Sequence, residues 1–183
     1  MSVALSQHGI TVHLPTSWEG RIYTRQQPMD AGTISMAGSA SSMAGSASSM
    51  AGSQIGNFGW PGEVPHPIVH VANFALPADR GDFGSGAVHL MGAAHLLVVL
   101  FEYGLESVGT ALFAHQGLPS PREQDFSPNA LQRRIPGQLG YQKFFTHAGR
   151  AFCAYVVLGA ARNVVPLSAA ARTVLTSTQV ESR

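Results

Sequence analysis

Charge is scarce in this chain. Its 183 residues hold 11 Lys and Arg against 10 Asp and Glu, a formal net charge of +1, and only 11% of residues are charged. That is less than half the usual share of a soluble domain. No field of one sign exists to gather nucleic acid or an anionic bilayer, so neither is expected as a partner. Cysteine is nearly missing: Cys153 stands alone. A disulfide within the chain is therefore excluded, and with it the disulfide-stapled secreted scaffolds. Long hydrophobic runs are missing too. The longest stretch, 93–101, includes His95 and falls far short of the ~20 residues that span a bilayer. Residues 1–9 lack the basic start and apolar core of a signal peptide, so the expected location is the cytoplasm. Lysine occurs once, at 143, so the other cations are arginines; with abundant alanine, this bias suits a GC-rich bacterial genome.

What is present is enough hydrophobic content, 45%, for the core of one ordinary domain. One segment contributes nothing to that core. The heptapeptide Met36-Ala-Gly-Ser-Ala-Ser-Ser42 recurs at 43–49 and starts again at 50. A coiled coil needs two large apolar positions per heptad, and each repeat supplies one Met among Ala, Gly and Ser. Residues 32–59 are accordingly expected to be a flexible low-complexity insertion, born of tandem duplication. They interrupt a single domain built from 1–31 and 60–180.

Periodicity places the elements of that domain. Residues 10–14 alternate apolar and other side chains up to Pro15, a strand; Trp18 follows in a turn, and 21–25 is expected to return antiparallel to it. Residues 67–76 read as a strand and 77–86 as a loop. A helical turn is expected over 87–91, then a strand over 96–103 with both faces apolar, hence central in its sheet or packed beneath helices. A short helix is expected over 106–113. Another begins at Ser127-Pro128, an N-cap and first-turn pair, and stops at Pro136. Residues 141–146 and 151–158 frame a hairpin about Ala148-Gly149, with Phe145 opposite Phe152 and Phe144 opposite Cys153. Leu167, Ala170, Ala171, Val174, Leu175 and Thr178 recur at helical spacing behind Pro166. Five or six strands with helices concentrated late make an α+β fold.

Residue chemistry excludes more than it offers. Eight histidines raise a metal site, but Pro65 and Pro67 forbid a helix that would align His66 with His70. On a strand the two lie about 13 Å apart, too far to share one ion at about 2.1 Å. No metal is expected. Ser85 lies between Gly84 and Gly86, whereas a nucleophile elbow needs glycine two residues away on each side; Phe83 and Ala87 stand there. No phosphate loop or dinucleotide fingerprint is present, and no cofactor is expected. Cys153 sits within an apolar strand, where cysteine behaves as a small hydrophobe. Arg80-Gly81-Asp82 spells an adhesion tripeptide that has no use inside a cell. No catalytic residue emerges. Two features do point to recognition. Glu102 falls in an apolar strand, so it lies at the strand mouth or is paired with an arginine. The 79–86 loop mixes charge, glycine and an aromatic ring, as recognition loops do. The candidate binding residues are therefore Arg80, Asp82, Phe83, Glu102 and Tyr103.

The opening Gly9-Ile10-x-Val12-x-Leu14-Pro15-x-x-Trp18 resembles the start of proteins with the PsbP-like fold, as does a closing hairpin followed by an amphipathic helix. That superfamily spans extrinsic photosystem II subunits, a Ran-GTPase-binding nuclear import factor and many bacterial proteins; the chain is also similar to small actinobacterial proteins. The resemblance implies a curved antiparallel sheet covered by a C-terminal helix and short helices, used as a binding platform, and carries over no catalytic residue. The expected function is a non-enzymatic binding or protein-interaction module. The alternative is an enzyme or small-ligand carrier with a cleft near Glu102, Tyr103 and the 79–86 loop.

Overall fold

Ser2–Gln7 (β1) and Ile10–Pro15 (β2) form a hairpin about His8-Gly9, and both turn residues take positive φ, 55° and 71°, as a two-residue turn matched to strand twist requires. The computed structural model describes residues 2–24 and 65–182, which belong to one compact unit; the 32–59 repeat segment lies outside the described residues. Glu19–Thr24 (β3), Pro67–Ala72 (β4), Leu96–Tyr103 (β5), Leu139–His147 (β6) and Arg150–Leu158 (β7) make a five-stranded sheet in the order β3-β4-β5-β7-β6. Every neighbouring pair in it is antiparallel. A four-residue helix, Ser85–Val88 (α1), precedes β5. After β7, Val164–Ser177 (α2) leads into the short Gln179–Val180 (β8), which completes a second sheet, β1-β2-β8.

Strand alternation divides the apolar residues between two cores. Val69, Val71, Leu96, Val98, Leu100, Phe145, Phe152 and Val156 pack with Ile10, Val12 and Leu14 of β2 and with Leu167, Ala171, Val174 and Leu175 of α2. This is the inner face of the five-stranded sheet. On its outer face, Ile68, Leu97, Val99, Tyr155 and Val157 are covered by Ala87, Phe74, Phe83, Val88 and Leu131. The covering segment, 73–95, is clamped at its base by Asn73, whose Nδ2 donates to Ala94 O at 2.9 Å and whose Oδ1 accepts from Leu96 N at 2.7 Å. Covered on both sides, all nine residues of β7 are buried.

The α+β class and the hairpin match the sequence reading. Phe144 pairs with Cys153 and Phe145 with Phe152, the last two rings stacked at 5.6 Å. Other expectations are corrected. There are eight strands in two sheets among the described residues, not five or six in one. β1 was not expected at all. β3 pairs with β4 rather than returning along β2, because its apolar Ile22 joins Val69 and Val71 in the inner core. The expected 106–113 helix is two separate 3-10 turns, Leu105–Ser107 and Ala111–Phe113, divided at Gly109, whose φ of 78° cannot continue a helix. Ser127 does cap, its side chain accepting from Asn129 N, but the turn it starts covers only Pro128–Ala130.

Candidate functional site

Alternation along β5 sends Glu102 and Tyr103 to opposite faces, and this separates the candidate residues. Glu102 points inward and is 1% exposed. Arg150, equally buried, donates from Nε to Glu102 Oε1 at 3.0 Å and from Nη2 to Oε2 at 2.5 Å. The same guanidinium donates to Gly9 O, Glu181 O and His8 O at 3.2–3.3 Å. All five N–H groups of the arginine thereby have acceptors. Glu102 is the arginine-paired strand carboxylate that the sequence offered as one alternative, and it faces away from the 79–86 loop.

Arg80, Asp82, Phe83 and Tyr103 lie with the outer face. There His70 of β4 fastens the loop. Its Nε2 bonds Asp82 O at 2.8 Å and its Nδ1 accepts from Arg80 Nε at 2.8 Å, so Nε2 carries the proton of a neutral ring. Burial, the largest influence, pushes the His70 pKa down to about 4. Arg80 also donates to Pro77 O at 2.9 Å and lies 5.3 Å from the Tyr23 ring centre. The loop closes on itself at Gly86, where a Cβ would stand 1.8 Å from Asp79 O; no other residue permits that approach. Arg80 and the Asp82 backbone are thus the loop's attachment to the sheet.

Phe83, carried by this loop, joins two features. It stacks on Phe101 at 5.3 Å and meets Tyr155 edge-on at 5.9 Å. From Phe101 an aromatic ladder continues to Tyr103 at 5.0 Å, then Phe113 and Phe144 at 5.1 and 6.0 Å; Phe83, Phe101, Tyr103 and Phe144 are half-buried. In the other direction Phe83 walls a cavity of about 130 Å³ with Val88, Leu131 and Tyr155, its polar lining coming from Ser85, His89, Gln132, Arg133 and Gln138. Gln138 is 4% exposed. Its Nε2 donates to Val88 O at 2.9 Å, whereas its Oε1 has no hydrogen-bond partner among the described residues. The Tyr155 hydroxyl accepts from Gln132 N at 3.1 Å.

Cys153 also belongs to this face, beside Phe101 and Phe144. Burial pushes its thiol up to about 11, opposed by a contact from Gln142 Nε2 at 3.6 Å. A thiol so placed is a poor nucleophile at neutral pH. Among the described residues no three His, Cys, Asp or Glu side chains gather as a metal-holding group, and no helix is long and apolar enough to cross a membrane.

Sequence reasoning missed Gln138, Leu131 and Tyr155. They come from separate segments, and the signal that marks Gln138, an acceptor without a donor, exists only once the chain is folded. Comparison of the chain with family models, with curated proteins and with solved structures finds no match.

Proposed function

We propose that the protein is a non-enzymatic binding module that seats a small, largely apolar ligand on the outer face of its five-stranded sheet, beneath the 79–86 loop. The observation that carries this reading is the cavity walled by Phe83, Val88, Leu131, Gln138 and Tyr155. At about 130 Å³ it approaches the ~150 Å³ of an engineered apolar cavity that takes up benzene. The wall surface is mainly apolar, with Ser85, His89, Gln132, Arg133 and Gln138 supplying polar groups; concave, mainly apolar walls with a few polar groups are the usual form of a small-molecule site. Binding is favoured over catalysis because the cavity lining holds no carboxylate, thiol or lysine beside its one imidazole, His89, and the buried ionisable groups elsewhere on the sheet are engaged or quenched. Both nitrogens of His70 are bonded, Glu102 is tied to Arg150, and the Cys153 thiol is raised. A general base or nucleophile needs the opposite, a free and accessible group with a pKa near the working pH.

On this reading the scaffold is PsbP-like and the protein works in the cytoplasm of a bacterium. The strand ending at Pro15 ahead of Trp18 and the closing hairpin followed by α2 support the scaffold. A protein partner is the second reading. It is favoured by Leu105 and Leu112, 64% and 59% exposed, on the 3-10 turns flanking the aromatic ladder; large apolar side chains left in solvent near aromatic rings are typical of contact surfaces.

The test is a titration of 15N-labelled protein with toluene and phenol. Amide shifts concentrated at Phe83, Val88, Leu131 and Tyr155, with the probe recovered unchanged, are expected. Shifts confined to Leu105 and Leu112, or none, would overturn the cavity as the site.

A further inference from the structure

One residue lining the cavity that the proposed function rests on, Gln138, carries an unmet requirement. Gln138 is held on both sides: its backbone N–H donates to Ile135 O at 3.1 Å and its side-chain Nε2 to Val88 O at 2.9 Å. The side-chain amide is thereby anchored through Nε2, and Oε1 remains a buried acceptor with no donor among the described residues. Native proteins leave few such atoms unpaired, and an exception calls for an explanation. We infer that the cavity selects a ligand of about six to eight non-hydrogen atoms, an aromatic or alicyclic ring bearing a hydroxyl or amino group, whose O–H or N–H donates to Gln138 Oε1. The size follows from the comparison with the benzene-binding cavity.

The walls agree with that chemistry. Phe83 and Tyr155 meet edge-on at 5.9 Å, and a third ring extends such a pair in the offset or edge-to-face geometries that aromatic quadrupoles favour. Leu131 and Val88 supply aliphatic surface. The Tyr155 hydroxyl accepts from Gln132 N and keeps its own proton, a donor that a ligand hydroxyl is able to use as well. A ring without a donor group fills the same space and leaves Oε1 as it was. Discrimination therefore comes from the cost of the unpaired acceptor rather than from shape, the situation in which binding sites discriminate most sharply.

Four probes of nearly equal size separate the possibilities: phenol and aniline, which carry donors, and toluene and fluorobenzene, which do not. Dissociation constants are read from amide titrations at Phe83, Val88, Leu131 and Tyr155 in the wild type and in Gln138→Leu. The donor probes are expected to bind the wild type about tenfold or more tightly than the others, the value of meeting a buried acceptor. In Gln138→Leu the phenol-to-toluene affinity ratio is expected to fall by at least tenfold, a comparison in which the hydration of phenol itself cancels. Should the variant not fold, the wild-type ranking alone decides. Equal affinities for all four probes, with shifts at the cavity, overturn donor selection and leave the cavity as a ligand site. No shift at the cavity with any probe overturns both, and Gln138 Oε1 is then served by water.

Discussion

Arg150→Met removes the side chain on which three remote parts of the chain converge. The guanidinium is 1% exposed and its five N–H groups meet five acceptors: two carboxylate oxygens of Glu102 and the carbonyls of His8, Gly9 and Glu181. Methionine fills much of the volume but takes both guanidinium bonds from the buried Glu102 carboxylate. Gly9 O keeps a bond from Glu181 N; the arginine was the donor to His8 O and Glu181 O. Breaking a buried pair from one side costs about 3–5 kcal/mol, roughly a fifth or more of the ~5–15 kcal/mol stability of a typical domain. For a chain of this size that lowers Tm by roughly 6–20 °C. Arg150→Lys is expected to fare little better, because an ammonium offers three donors from one point to acceptors arranged around a planar fork. The double variant Glu102→Leu with Arg150→Met removes both charges and is expected to recover more than half of the loss, since apolar replacements of buried pairs are often neutral. Urea denaturation at pH 7, followed by circular dichroism, measures all three. A cost below about 1 kcal/mol for Arg150→Met, the range of an exposed pair, or a double variant no better than the single, would refute this account.

Three further outcomes are expected. Leu175→Ala, at a position 0% exposed in the inner core, is expected to cost about 2–5 kcal/mol, whereas Arg172→Ala on the exposed side of α2 stays within about 0.5 kcal/mol; equal losses in parallel urea titrations would mean that α2 does not cover the sheet. Ala148 holds φ at 52° in the β6–β7 turn, a conformation costly for alanine, so Ala148→Asn is expected to raise stability by up to about 1 kcal/mol, read as a higher urea midpoint. The neutral His70 ring, with its pKa lowered from 6.5 to about 4, binds its proton more weakly folded than unfolded; stability is therefore complete above about pH 6.5 and lost as pH falls toward 4, by about 3 kcal/mol over the window. Urea midpoints from pH 7 to pH 4 are expected to drop more steeply in the wild type than in His70→Gln, and parallel curves would refute the assignment.

Local grammar was legible in the sequence and long-range pairing was not. The register of the β6–β7 hairpin could be read because turn chemistry at Ala148-Gly149 and alternation on either side agree, although the strands run one or two residues further than 141–146 and 151–158. Glu102 announced itself, a carboxylate in an apolar strand, and the cost of burying it alone left two placements, the strand mouth or an arginine partner, of which the fold has the second. The sequence SVALSQ of β1 lacks β-branched and aromatic enrichment, and it forms only because β2 offers a twisted edge to pair with. β3 gave no sign that its partner lies beyond residue 64, since neighbouring strands usually pair. The cavity depended on four separate segments meeting, which no period or spacing encodes. Arg80 and Asp82 were recognised as belonging to a special loop, but their role as fastenings to His70 requires a contact ten or more residues away.

The Arg150 junction also bears on how the fold opens and closes in time. Its acceptors stand at residues 8, 9, 102 and 181, so it closes only after nearly the whole described chain has been gathered. Contacts of such sequence separation carry the largest loop-closure entropy and belong to the end of a folding reaction rather than its nucleus. Interactions absent from the transition state act on the unfolding rate and leave the folding rate nearly unchanged. The guanidinium is in this sense a latch: the lifetime of the native state, more than the speed of reaching it, is what a single buried arginine sets.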